Sequence, residues 1–148
     1  MYGKQNPAVH AGVEKQVIVK THTDQKSLDA VEKYASDFMF VPLVWGKDTV
    51  TDALLDKKIN LVGAEILFGK ESDECISDEY IKKMHDKGLL VWVNSIIYDE
   101  SAVISAYHTD DISLTDNPDK GWGWLLDKGV DFIQTDWLLM LRDYISKR

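Results

Sequence analysis

The run Asp127-Lys128-Gly129-Val130-Asp131-Phe132-Ile133-Gln134-Thr135-Asp136 puts a helix end, a glycine stop, a short apolar strand and a polar tip in one stretch. Gly129 suits the left-handed position that closes a helix. Val130, Phe132 and Ile133 make the following segment apolar enough to be buried on both faces, as strands of parallel sheets are. A chain with such a joint is predicted to fold through β/α units. Gln134, Thr135 and Asp136 then fall at the strand's carboxyl end, where ligands bind in α/β proteins.

The rest of the chain repeats the pattern. Residues 16–20 (Gln-Val-Ile-Val-Lys) read as a β-branched strand, and Asp24 with Ser27 caps a helix marked by Leu28, Val31 and Tyr34. Residues 37–44 form the next strand, with Pro42 expected near its carboxyl end, and residues 48–55 a short helix with acidic residues in its first turn. A third strand spans residues 60–68, its apolar run broken by Glu65, and Ser77 opens a helix whose inner face carries Tyr80, Ile81 and Met84. Lys87-Gly88 ends that helix before the strand of residues 89–95. Residues 101–108 are predicted as a helix, 120–128 as another, and 137–146 as the last. Five strands alternating with helices imply a parallel sheet with right-handed crossovers. Residues 1–13 read as an irregular lead-in, and 14–148 as one domain.

Composition narrows the function. A net charge of −8 and a pI near 4.9 argue against a nucleic-acid surface, which needs clustered Lys and Arg. A small anion remains an acceptable ligand, because one Lys and a few helix N-termini can hold it. Cys75 stands alone, so neither an intrachain disulfide nor a Cys-based metal cage can form. No stretch is apolar enough for a membrane span, and no signal peptide is expected in the chain as given, which leaves the compartment unknown.

Two strands carry a resemblance. Leu90-Val91-Trp92-Val93-Asn94-Ser95, and Gly129-Val130-Asp131-Phe132-Ile133-Gln134-Thr135-Asp136, resemble the last two strands of the glycerophosphodiester phosphodiesterase family. There the penultimate strand reads apolar-Trp-x-Val-Asn and the final one Gly-x-Asp-x-Ile-x-Thr-Asp. Residues 16–20 and 59–68 look like middle strands of the same enzymes. The resemblance implies a partial (β/α)8 TIM-type barrel of about five parallel β/α units, corresponding to the C-terminal part of the family's fold. It also implies a place in lipid metabolism as a phosphoric diester hydrolase that releases glycerol 3-phosphate and an alcohol. A divalent cation, Ca or Mg, is implied as cofactor. The chain departs from the family in lacking its His-Arg-Gly, Glu-Asn-Thr and Glu-x-Lys segments, and Leu138 stands where the family usually has Pro. No catalytic or metal-ligating residue is therefore assigned, and the chain alone is expected to be nearly inert. Five strands of a barrel leave two free edges, so a homo-oligomer or a missing N-terminal half is the expected partner.

The substrate-binding candidates are Lys20, Glu65, Trp92 and Asn94. Lys20 ends a strand and either faces a phosphate or is solvated. Glu65 either meets substrate or metal, or is paired with a neighbour such as Lys20, since an unpaired buried carboxylate is costly. Trp92 resembles a family residue that packs against the substrate's apolar or glycerol side, with core packing as the rival role. Asn94 and Asp136 sit at strand ends, where Asp136 is expected to cap the next helix rather than to catalyse. His22 is the histidine best placed for proton transfer but has no partner motif. His85 is expected on the surface, His108 near Asp110 and Asp111 is not expected to hold a cation, and Trp122, Trp124 and Trp137 are expected to form a packed outer cluster.

Overall fold

The computed structural model describes residues 12–98 and 102–148. Its centre is a curled, half-barrel sheet of five strands in sequential order: β1 (Ile18–Thr21), β2 (Met39–Trp45), β3 (Gly63–Leu67), β4 (Leu90–Asn94) and β5 (Phe132–Gln134). Every adjacent pair is parallel. The crossovers carry α1 (Gln25–Tyr34), α2 (Thr51–Leu55), α3 (Asp78–Asp86), α4 (Asp110–Thr115) and α5 (Trp124–Asp127), and α6 (Leu138–Ile145) follows β5. Among the described residues no helix is long and apolar enough to cross a membrane.

The helices stop and start where the sequence signals them. Asp24 accepts hydrogen bonds from the Ser27 amide (3.1 Å) and hydroxyl (2.6 Å) at the start of α1. The Ser77 hydroxyl oxygen accepts one from the Tyr80 amide at the start of α3. Gly88 and Gly129 take φ of +72° and +80°, the left-handed region that a side chain would strain. Asp48, three residues before Thr51, caps α2 through the Val50 and Thr51 amides and also accepts from the Tyr80 hydroxyl. Its carboxyl is desolvated by its surroundings, yet the bonds from Thr51, Val50 and Tyr80 outweigh that burial and hold it below the ordinary carboxylate range.

The core lies between the sheet and the helices. Ala64, Ile66 and Phe68 of the β3 segment, and Val91 and Val93 of β4, point outward into a cluster with Tyr80, Ile81, Met84 and Leu125. Phe40 packs with Leu28, Val31 and Leu54 beneath α1 and α2. The opposite, concave face has no second layer over it among the described residues. Ile18, Trp45, Leu90 and Phe132 on that face are exposed, as interior residues of an unclosed barrel must be.

Three sequence-based assignments are corrected. Residues 102–109 are not helical: Ser105 bridges Phe68 as an isolated parallel pair, and Ala106 and Tyr107 take positive φ, 48° and 70°. Residue 101 lies outside the described residues, as do residues 1–11 of the lead-in. The helix placed at 120–128 begins instead as a π-helical turn, Asp119–Gly123, which joins α5. Pro42 lies in the middle of β2 rather than near its end.

Pro42, which pairs with Thr21 of β1, is tolerated there because the ladder to β3 skips it. Phe40 pairs with Leu61, but Leu43 pairs with Glu65, so β3 carries one residue more than β2 across this interval. That is a bulge at Val62–Gly63. It lets Leu61 and Ala64, three residues apart, both face the helix layer. It also turns Glu65 to the concave face. Gly63 is needed at the bulge, since a Cβ there would stand 2.3 Å from the Leu90 carbonyl oxygen. Gly63→Ala is expected to lower the unfolding free energy in urea by about 2–3 kcal/mol. Gly69→Ala, whose added Cβ would meet nothing closer than 3.9 Å, should change it by less than about 0.5 kcal/mol. Equal effects of the two substitutions would refute the bulge geometry.

Candidate functional site

Strand alternation brings the four sequence candidates together on the concave face. Lys20 comes from β1, Glu65 from β3, and Trp92 and Asn94 from β4, with Gln134 of β5 joining them. The Lys20 ammonium lies 2.7 Å from Glu65 Oε2, donates to Gln134 Oε1 at 3.3 Å, and stands 4.2 Å from the centroid of the Trp92 ring. One side chain on an edge strand thus reaches three other strands, including the opposite edge. This is only possible because the sheet is curled.

Glu65 is therefore both inward-facing and paired. It is 3% exposed, and its second oxygen accepts from Asn94 Nδ2 at 2.7 Å. The contact of Oε2 with Lys20 has ion-pair distance but not hydrogen-bond direction, so that oxygen retains acceptor capacity. Asn94 is fully buried, and among the described residues its Oδ1 has no partner; Trp92 Nε1, also closed to solvent, has none among them either. Such orphaned atoms are costly and are typical of sites that another molecule completes. Trp92 packs not into the helix layer but against Phe132 on the concave face, ring centroids 5.5 Å apart and 27° from parallel.

The carboxyl-end rim is braced by Asp110, which opens α4. Its Oδ1 accepts from the Ser95 hydroxyl (2.6 Å), Trp122 Nε1 (2.7 Å) and the Thr135 hydroxyl (2.8 Å), and its Oδ2 from the Asp136 amide (2.9 Å). One buried carboxylate thus ties the tips of β4 and β5 to the start of α4. Thr109 caps that helix by accepting from the Ile112 amide. A Thr-Asp pair before a helix was the one local signal. Asp136 does not cap α6, whose first turn has no side-chain cap; the Thr135 hydroxyl accepts from the Trp137 amide instead.

The remaining candidates lie apart. His22 is exposed and lines a rim cavity of about 400 Å³ with Thr23, Trp45 and Lys47, to which neither Asn94 nor Glu65 contributes. His85 is on the surface, 3.0 Å from Asp131. His108 is stacked on Trp124 at 3.8 Å, donates from Nδ1 to the Lys120 carbonyl, and places Nε2 3.0 Å from Glu71. Trp122 and Trp124 are packed as expected, but Trp137 is exposed. Cys75 is buried among apolar side chains, which pushes its thiol up to about 12.

A Ca or Mg ion does not fit the residues present. Hard cations take six or more oxygen ligands, usually several from carboxylates. Glu65 is engaged by Lys20 and Asn94, and among the described residues no three His, Cys, Asp or Glu side chains gather as a metal site.

Fold and site together define a curled parallel α/β sheet with a polar cluster in its concavity. Residues 38–145 match the family DUF4996, described as a domain of unknown function, and the chain belongs to that family. No curated protein matches it. Asp110→Ala is expected to lower the unfolding free energy by roughly 3 kcal/mol, because four donors lose a charged acceptor. A loss under about 1 kcal/mol in urea unfolding would show that the rim does not depend on it.

Proposed function

We propose that this chain is the substrate-facing wall of a glycerophosphodiester phosphodiesterase-type (β/α)8 barrel. The observation that carries the reading is the convergence of Lys20, Glu65, Trp92 and Asn94 on the concave face, beside the carboxyl ends of β3, β4 and β5. A glycerophosphodiester lies along this wall with its carbon chain against the Trp92 and Phe132 rings. The hydrolytic step, yielding glycerol 3-phosphate and an alcohol, needs an acid, a base and a divalent cation that these residues do not supply. The chain alone binds such a ligand without turning it over.

A non-catalytic, oligomeric binding module is the second reading, favoured by the bare surfaces at both sheet edges. Among the described residues β1 and β5 are each paired on one side only, and Leu138 and Leu139 of α6, which follows β5, are exposed. Either a second copy or a polypeptide bearing further β/α units covers these edges.

Calorimetric titration with glycerol 3-phosphate tests the wall. Saturable binding is expected, weakened about tenfold by Trp92→Ala, with no metal-dependent hydrolysis of a phosphodiester above an EDTA control. Absence of binding, or turnover restored by Ca or Mg, contradicts the reading. Light scattering separates the partners: a concentration-dependent dimer supports self-pairing, and a monomer stable to dilution excludes it.

A further inference from the structure

We propose that the carboxyl-end rim of the sheet is a docking surface for a zwitterionic phospholipid bilayer, entered by Trp45, Tyr98, Tyr107 and Trp137. Trp45 closes β2, Tyr98 follows β4 and Trp137 follows β5. Tyr107 stands between two ties to the same end: Ser105 bridges Phe68 just beyond β3, and the Asp110 amide donates to the Ser95 carbonyl just beyond β4. The four residues are between 47% and 67% exposed. Among the described residues the other exposed aromatics are Tyr34 and Phe132, which lie at the opposite end, at the close of α1 and the start of β5. Tyr107 keeps its bare position at φ +70°, beside Ala106 at +48°, a costly backbone conformation for a bulky residue that no burial of the ring offsets.

The position of these rings sets them apart from the sheet edges. A second copy or further β/α units would add beside β1 and β5 and leave the strand tips bare. Covering the tips takes a surface that lies across the strand axis. Trp and Tyr, each an apolar body with one polar atom, suit the boundary between headgroups and acyl chains. Apolar recesses lie beside them: about 180 Å³ among Ile97, Val103, Ile104 and Tyr107, and about 350 Å³ among Trp137, Leu138, Leu139 and Met140. Methylene groups fill such hollows without a matched shape. Charge then selects the lipid, because anionic membranes are held by clustered Lys and Arg. Lys47, which shares a cavity with Trp45, is paired with Glu74 at 2.9 Å, and the chain carries a net charge of −8. A headgroup surface of no net charge is the partner that fits. Lys20, Glu65 and Asn94 take no part in this contact, so docking holds whatever the concave wall binds.

Sedimentation of the full chain with phosphatidylcholine vesicles, alone and doped with phosphatidylglycerol, tests the docking. The wild type is expected to sediment with phosphatidylcholine, and the anionic lipid to leave binding unchanged or weaker. The triple variant Trp45→Ala, Tyr107→Ala, Trp137→Ala should bind at least about tenfold more weakly. The double variant Ile18→Ser, Leu90→Ser removes exposed apolar surface at the opposite ends of β1 and β4 and should bind as the wild type does. Phosphatidylcholine brominated along its acyl chains should quench the tryptophan emission of the wild type, a reading that needs no variant. Failure to bind phosphatidylcholine, binding that requires phosphatidylglycerol, or equal losses in the two variants overturns the proposal. Should the triple variant not fold, the quenching decides alone, and its absence overturns the proposal.

Discussion

The pairing of Lys20 with Glu65 ties the two halves of the curled sheet across its own concavity. At 2.7 Å and an effective dielectric of about 20, the attraction is on the order of 6 kcal/mol. Desolvating the nearly buried carboxylate costs several kcal/mol, and partial exposure of Lys20 screens the attraction, so the pair adds little net stability. Its importance is negative. Without Lys20, Glu65 would be a buried charge supported by Asn94 alone, and Trp92 and Gln134 would lose their common partner.

The geometry of the site follows from this tether together with the bulge beside Pro42. Parallel strands of even register would have sent Leu61 and Glu65 to the same face. The extra residue at Val62–Gly63 instead keeps Leu61, Ala64, Ile66 and Phe68 with the helices and turns the one carboxylate of β3 inward. The same alternation on β4 places Val91 and Val93 outside, and Trp92 and Asn94 inside. Asp110 then fixes the tips of β4 and β5 relative to each other, so that Asn94 and Gln134 present their side chains in register.

Much of this was legible in the sequence. β-branched and aromatic runs located all five strands, Gly88 and Gly129 marked helix ends, and Asp24 with Ser27 announced α1. Glu65 was legible as exceptional but not in direction, because a bulge has no local signature beyond a glycine. Residues 102–109 look helical in pattern but yield to tertiary contacts: the Ser105–Phe68 bridge and the stacking of His108 on Trp124 hold them irregular. Asp110 could not be read as a hub because its partners lie far apart in the chain, as do Lys20 and Gln134. Hydrophobic periodicity reports which face a residue takes, not which distant polar group it meets.

The most direct test of the central claim is a double-mutant cycle on Lys20→Met and Glu65→Gln, followed by urea unfolding. The tether predicts that Lys20→Met alone costs about 2–4 kcal/mol, that Glu65→Gln removes most of that cost, and that the coupling energy is about 2 kcal/mol. Single-mutant effects that add within about 0.5 kcal/mol would mean that the two side chains do not meet across the sheet.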